Sequence, residues 1–365
     1  MSALVLDSKQ SGTISYGTGE SGTKTAALTG ISDISQCLVL VSARSDNADA
    51  AEINLWYEIT NKTTLTVSKY QAGANTEITW QVLEFSSGLS QTTYTSDPAS
   101  TSVNITISIS DTAKAFPIIS LENSGTSTGN DDHWFANITS TTNCTIGIQS
   151  GASSGNQTIK LTIYEIDDAT VAKYTGNLDA DASTSVTVTA VTIDQTLLAY
   201  TYGCDDVQLG NDERSYAYLT STTNVNLLRD ITSGGDDCEY YLYTINISDG
   251  VEVQHYNVTA ITSGSKATTI SPAVSDVDAT ALHATSAYGF MGTADATGDD
   301  AQQNQGQLSL DSTSQFTVTR YTTSGSDQAT CVQVIEFVDV VTGVASSIQN
   351  NDAIHSKILG HLITR

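Results

Sequence analysis

Apolar and polar positions alternate along this chain in short runs, and the runs recur. Four of them read alike: Trp80-Gln-Val-Leu-Glu-Phe85, Leu161-Thr-Ile-Tyr-Glu-Ile166, Tyr240-Tyr-Leu-Tyr-Thr-Ile245 and Val332-Gln-Val-Ile-Glu-Phe337. With the penultimate positions Glu84, Glu165, Thr244 and Glu336 taken as equivalent, the spacings are 81, 79 and 92 residues. Upstream of each lies a second shared block: Asn61–Val67, Ser140–Ile146, Ser221–Leu227 and Ser312–Val318. Each block runs into a Gly/Ser/Asn turn, such as Thr323-Ser-Gly-Ser326. Two blocks in the same order, four times, identify an internal repeat.

A period of two marks these blocks as strands. One face of the closing strand carries Trp80/Val82, Leu161/Ile163, Tyr240/Leu242 and Val332/Val334. The other carries Leu83/Phe85, Tyr164/Ile166, Tyr243/Ile245 and Ile335/Phe337, so both faces are apolar. Antiparallel strands covered on both sides predict an all-β chain of four tandem β-sandwiches, at 22–90, 100–170, 183–250 and 265–342. Val103–Ile109 and Val186–Thr192 read as opening strands. Ser86–Ser100 and Ser248–Ala267 read as linkers or crossover strands, and residues 1–21, polar and Gly-rich, as an N-terminal arm. Residues 343–365 form a C-terminal tail in which Ile354, Ile358 and Leu362 fall at helical spacing, as a capping helix or a docking tail. An isolated sandwich needs one apolar face on such strands. The second face and the tail stripe are therefore expected to be an interface in a homo-oligomer, a trimer or higher ring.

Charge then narrows the function. Against 14 Lys and Arg stand 40 Asp and Glu, for a net charge of −26. Neutralising phosphates needs clustered basic residues, so no nucleic-acid partner is expected, and no anionic membrane surface. The N-terminus lacks the basic and apolar segments of a signal peptide. The five cysteines are widely spaced with no CxxC, and most read as buried small hydrophobes. Cys204 and Cys238 remain a candidate pair.

Chemistry is sparse. Gly151-Ala-Ser-Ser-Gly155 fits GxSxG but falls in a turn between two strands, with no helix to make a nucleophile elbow. Gly17–Gly22 fits GxGxxG, again with no helix behind it to hold a phosphate, and reads as part of the flexible arm. No catalytic residue is assigned, and the chain is not expected to be an enzyme. Acidic loops recur in each repeat: Asp46–Asp49, Asp131-Asp132, Asp212-Glu213 and Asp299-Asp300. Asp131, Asp132, Asp299 and Asp300 are the candidate calcium ligands, with a solvated loop as the plainer alternative. Lys69, Arg229 and Arg320 each stand two residues past the second shared block, while the second repeat has Ile148 there. A structural ion pair or interface contact is the plain reading and polar ligand recognition the sharper one.

The closing strand, with Thr317-Val-Thr-Arg320 and the turn Thr323–Ser326 before it, resembles the repeated "VVEF" strand of virion proteins of tailed phages and related viruses. The third repeat departs from it with Thr244 at the Glu position. The resemblance implies an external structural or accessory component of the virion, assembled in the host cytoplasm: capsid decoration, head fibre, collar or tail appendage. It implies other virion proteins as partners and carries over no catalytic residue. The competing expectation is a glycan- or cell-surface-binding fibre or adhesin module.

Overall fold

The computed structural model describes residues 2–46, 54–98, 100–124, 133–149, 157–178, 183–204, 215–229, 238–261, 264–285, 293–294, 306–320 and 328–338. It is all-β, with no α-helix among the described residues. The first repeat comprises β1 (Val5–Tyr16), β2 (Gly22–Ala27), β3 (Cys37–Ser45), β4 (Leu55–Asn61), β5 (Thr64–Lys69) and β6 (Thr76–Ser87). The second comprises β7 (Leu89–Ser96), β8 (Ser102–Thr106), β9 (Ala115–Asn123), β10 (Phe135–Ser140), β11 (Asn143–Gly147) and β12 (Gln157–Ile166). The third comprises β13 (Ala169–Leu178), β14 (Ser183–Thr187), β15 (Thr196–Cys204), β16 (Ser215–Ser221), β17 (Asn224–Arg229) and β18 (Cys238–Ile247). The fourth comprises β19 (Val251–Ile261), β20 (Ser265–Thr269), β21 (Thr280–Ala284), β22 (Thr293–Ala294), β23 (Gln307–Ser312), β24 (Gln315–Thr319) and β25 (Gln328–Phe337).

Each repeat folds into two antiparallel sheets. The closing strand runs between the first and third strands, as in β1-β6-β3, and makes the inner sheet. In the first three repeats the fifth strand runs between the second and fourth, as in β2-β5-β4, and makes the outer sheet; in the fourth, where β22 is added, the same sheet is β20-β24-β23. In the first repeat Val39, Val41, Leu65, Val67, Trp80 and Val82 fill the space between them. In the fourth, Leu282, Leu308, Phe316, Val318, Val332 and Val334 do the same. The second-to-third strand connection is pinned to the hairpin opposite: Leu28 N–H donates to Thr63 O, Ile107 to Thr142, Val188 to Thr223 and Ile270 to Ser314.

Two sequence expectations need correction. The N-terminal arm contains the first strand β1, and the two segments read as linkers or crossover strands are strands, β7 and β19; these pair along β6, β12 and β25. The repeats therefore span 5–87, 89–166, 169–247 and 251–337, and only Gly88, Asp167-Asp168 and Ser248–Gly250 join them. Gly88 has φ +85°, and a Cβ there would lie 2.5 Å from the Ala3 carbonyl oxygen, so this junction requires glycine. The alignment of the third closing strand is also off by two. Cys37 pairs with Glu84, Ala115 with Glu165 and Thr280 with Glu336, whereas Thr196 pairs with Asn246. A slip of two leaves in-out parity unchanged, so hydrophobic alternation cannot detect it.

The second apolar face is covered within one chain. Leu83, Phe85, Tyr164, Ile166, Tyr243, Ile245, Ile335 and Phe337 are each at most 5% exposed and share one apolar cluster that draws on all four repeats. The rings of Phe85 and Phe337, from the first and last repeats, meet edge-on at 5.1 Å. These residues therefore need no second subunit to cover them. The neighbouring repeats do so, because the chain closes on itself: repeat one packs on two, two on three, three on four and four on one. The tail residues Ile354, Ile358 and Leu362 lie outside the described residues.

Truncating either half of the Phe85–Phe337 pair is expected to destabilise the whole chain by about 3–5 kcal/mol in denaturant titrations. The double alanine variant should fall short of the sum, because the two rings share one cavity.

Candidate functional site

The best-built part of the molecule is the set of seams where repeats meet. The third strand of each repeat is the edge of its inner sheet, and an edge buried against a neighbour must find partners for its amides and carbonyls. A hydroxyl stands five residues after the first residue of β3, β9, β15 and β21: Ser42, Ser120, Thr201 and Thr285. All four are buried. Ser120 accepts from Tyr57 N–H at 3.2 Å and Thr201 from Ala136 N–H at 3.1 Å. Ser42 accepts from Leu308 N–H at 3.0 Å, and Thr285 donates to the Ala217 carbonyl. The four contacts run 1–2, 2–3, 3–4 and 4–1.

A second clasp reaches backwards round the ring from the closing strand. The Gln81 amide bonds both the N–H and the C=O of Leu282, and the Gln333 amide both those of Leu198. Each glutamine thus stands in for a short piece of neighbouring strand. In the second repeat the Tyr164 hydroxyl accepts from Val39 N–H at 3.3 Å. The corresponding position facing the third repeat is Pro117, which has no N–H to offer. There the Tyr243 hydroxyl turns to β10, donating to Ala136 O and accepting from Ile138 N–H. First strands add a third contact to the preceding repeat: Lys9 to Val277 O and Thr280 O, Gln91 to Ile34 O, Lys173 to Ile138 O and His255 to Thr196 O.

The carboxylates of the closing strands are structural brackets. Glu84 accepts from Ser32 and Asp33 N–H and the Ser32 hydroxyl, Glu165 from Ser110 and Asp111, and Glu336 from Ser275 and Asp276. Asn246 takes this part in the third repeat, accepting from Thr192 N–H and the Thr196 hydroxyl. Partial burial alone would push the Glu84 carboxyl up, but the Ser32 and Asp33 donors outweigh it and hold it below its ordinary value. The rare basic residues Lys69, Arg229 and Arg320 are buried at 0%, 4% and 1% exposure. Lys69 donates to Ala74 O at 2.8 Å and faces the Tyr16 ring, fixing the turn before β6. The Lys69 contacts are structural, made to backbone and a ring within its own repeat.

Other sequence candidates resolve differently. Gly17–Gly22 is an ordered turn between β1 and β2, where Gly17 N–H donates to the Glu20 carboxylate and Glu20 pairs with Lys24. Of the acidic loops, Asp46 is described, and it accepts from the Asn75 backbone and side-chain amides. The candidate calcium ligands Asp131, Asp132, Asp299 and Asp300, and the GxSxG segment, lie outside the described residues. Among the described residues no group of three or more His, Cys, Asp or Glu is placed to hold a metal. Cys37, Cys144 and Cys331 are free and buried, and burial pushes each thiol up to about 12. Cys238 is disulfide-bonded, and Cys204 stands directly opposite it in the β15–β18 register.

Among the described residues, two concave features bear on function. A cleft of about 400 Å³ at the 4–1 seam is lined by Leu6, Lys9, Asp276, Asp278, Phe337 and Val338, among others. A much smaller cavity is lined from all four repeats. The fourth residues of β3, β9, β15 and β21 (Leu40, Ile118, Ala199 and His283) converge there with Tyr57, Tyr200 and Thr201. It has about 20 Å³ open to a water centre, enough for a single water molecule. Sequence reading passed over the clasp residues. Their signal, one hydroxyl at a fixed offset in each repeat, becomes visible once the third strands are aligned.

Glu84→Gln is expected to cost about 1–3 kcal/mol at neutral pH, since it leaves the Ser32 and Asp33 donors without a charged acceptor. The wild-type advantage is present above the ordinary glutamate range and is lost as pH falls through the lowered folded value. Denaturant midpoints for the two proteins should therefore converge below about pH 4. No protein-family model matches this chain, and no curated protein matches it.

Proposed function

We propose that this chain is a non-enzymatic structural component of a virus particle, such as a capsid decoration, head fibre, collar or tail appendage. The observation that carries the geometric side is the closed ring, in which four sandwiches are joined by one to three residues and clasped at every seam. Such an object resists unfolding from its ends, because every repeat is held by two neighbours. The polar side chains brought together at its seams and brackets are engaged in holding backbone. The closing-strand resemblance supplies the virion assignment.

In this reading the protein sits on the particle surface beside other virion proteins and contacts further copies of itself. Those contacts use surfaces other than the closing-strand faces, which are already covered. Tyr70 and Ile193 are the exposed large apolar side chains among the described residues, so self-contact would be mainly polar. A net charge of −26 opposes it at low ionic strength.

Antibody raised against the purified protein should label intact particles in immuno-electron microscopy, at a regular position on head or tail. Labelling confined to the soluble lysate would overturn the assignment. A glycan array gives the competing reading its chance: specific binding abolished by chelator would favour an adhesin module. Light scattering should show the mass rising from monomer towards an oligomer as salt or divalent cations are added. A monomer at every salt concentration would remove the self-association.

A further inference from the structure

The four seams share a plan but differ in chemistry. At 4–1, 1–2 and 2–3 the first-strand contacts come from Lys9, Gln91 and Lys173. At 3–4 the contact comes from His255, whose Nε2 lies 3.0 Å from the Thr196 carbonyl oxygen. Nε2 must carry the proton to donate there, which leaves Nδ1 bare. That Nδ1 is buried with no hydrogen-bond partner. The same seam carries a second histidine. His283 lines the four-repeat cavity at the position where the other repeats have Leu40, Ile118 and Ala199, and its ring bonds the Leu198 backbone. Thus two histidines of the fourth repeat hold Thr196 and Leu198, the stretch of β15 that Gln333 also grips.

We propose that the 3–4 seam is an acid-sensitive latch, at which protonation of His255 and His283 releases the fourth repeat from the third while the other three seams hold. A proton on His255 Nδ1 would place a new N–H and a full charge on a buried atom that has no hydrogen-bond partner. A proton on His283 would place a charge in a cavity walled by Leu40, Ile118 and Ala199, with space for one water at most.

The surroundings offer neither charge a counterion. His255 lies on β19, against β25, the turn Ile193–Gln195, β16 and β20. The titratable groups there are Cys331, Glu336, Asp194, Tyr216, Tyr218 and Lys266; Glu336 is engaged by the Ser275 and Asp276 donors, Lys266 donates to Thr259 O, Asp194 is exposed, and burial raises the cysteine and both tyrosines, so they stay neutral. His283 lies on β21, against β25, β23 and β3, and faces Tyr57 and Tyr200 across the cavity. Burial raises both tyrosines as well as Cys37 and Cys331; Glu336 is engaged by the Ser275 and Asp276 donors, Arg44 pairs with Glu77 and Asp311 is exposed. Burial accordingly pulls both imidazoles down to about 4.

The sign follows from proton binding. Above the ordinary histidine value neither state binds a proton and the latch is at full strength. Between there and about pH 4 the opened state binds protons that the closed state refuses, so the seam weakens as pH falls. At pH 5 each histidine favours opening by roughly thirtyfold.

Hydrogen exchange read by mass spectrometry on the full-length chain, corrected for intrinsic rates, tests this between pH 7 and pH 5. Peptides containing the Leu198 and Ala217 amides should lose at least about thirtyfold protection, while those containing Val39, Ile138 and Leu282 keep theirs. The variants H255Q and H283Q, which retain a donor but do not titrate, should abolish that selective loss. Equal loss at all four seams, or none at 3–4, would overturn the proposal. Should a variant fail to fold, carbon-13 imidazole shifts of the wild-type protein still decide. Two resonances titrating near pH 4 support the latch, and titration of every histidine between about pH 6 and 7 removes it.

Discussion

A buried sheet edge needs partners, and that requirement governs the design of this protein. Each inner sheet has three main strands, joined in the fourth repeat by the two-residue β22, and therefore two open edges, and both of its faces are apolar. Burying the second face against a neighbouring repeat brings an edge strand into the interior, where an unpaired amide or carbonyl costs about as much as several buried methylenes gain. The chain answers with side chains. Serine and threonine hydroxyls, two glutamine amides and two tyrosine hydroxyls take the places that a fourth strand would have filled. Hydrophobic burial draws the repeats together, but these polar groups determine the register at which they meet.

The repeats reach the same plan by different residues. Across β1 and β6 of the first repeat, Gly12 makes room for Trp80, and a Cβ on Gly12 would lie 2.6 Å from the indole. In the second and fourth repeats the same place holds Tyr94 opposite Leu161 and Tyr256 opposite Val332. Those tyrosine hydroxyls accept from Ser108 and Ser271 N–H, as Tyr174 does from Thr189. The first repeat has no tyrosine there, and Gln10 accepts from Thr29 N–H instead. Large and small residues exchange strands while the volume and the hydrogen bond are kept, as close packing demands.

The all-β class, the four-fold repeat and the strand faces were legible because alternation is a direct consequence of the pleat. Repeat boundaries were less so. A first strand that pairs at the edge of an inner sheet is half exposed, so residues 5–16 carry a weak pattern and resemble an arm. The offset at Asn246 escaped for a different reason, since Tyr240 and Tyr241 extend the apolar alternation at the start of the strand and offer a second match to the repeat. The covering of the second face was the largest departure. Apolarity of a strand states that something covers it, and says nothing about whether the cover comes from the same chain. The turn amides that Glu84, Glu165 and Glu336 serve explain why charged residues stand near the ends of otherwise apolar closing strands.

At the 4–1 seam, β1 and β25 lie on either side of one cleft, lined by Leu6 from the first strand and Phe337 from the last. That is also the seam with no peptide bond across it, whereas the other three are crossed by one to three residues. The ring therefore has an order of synthesis but no structural beginning. A permuted chain, opened between Asp167 and Asp168 and joined across the cleft from Phe337 to Val5, would present the same strands to the same neighbours. What the ribosome makes as a line is, to its own contacts, a cycle in which any repeat could have come first.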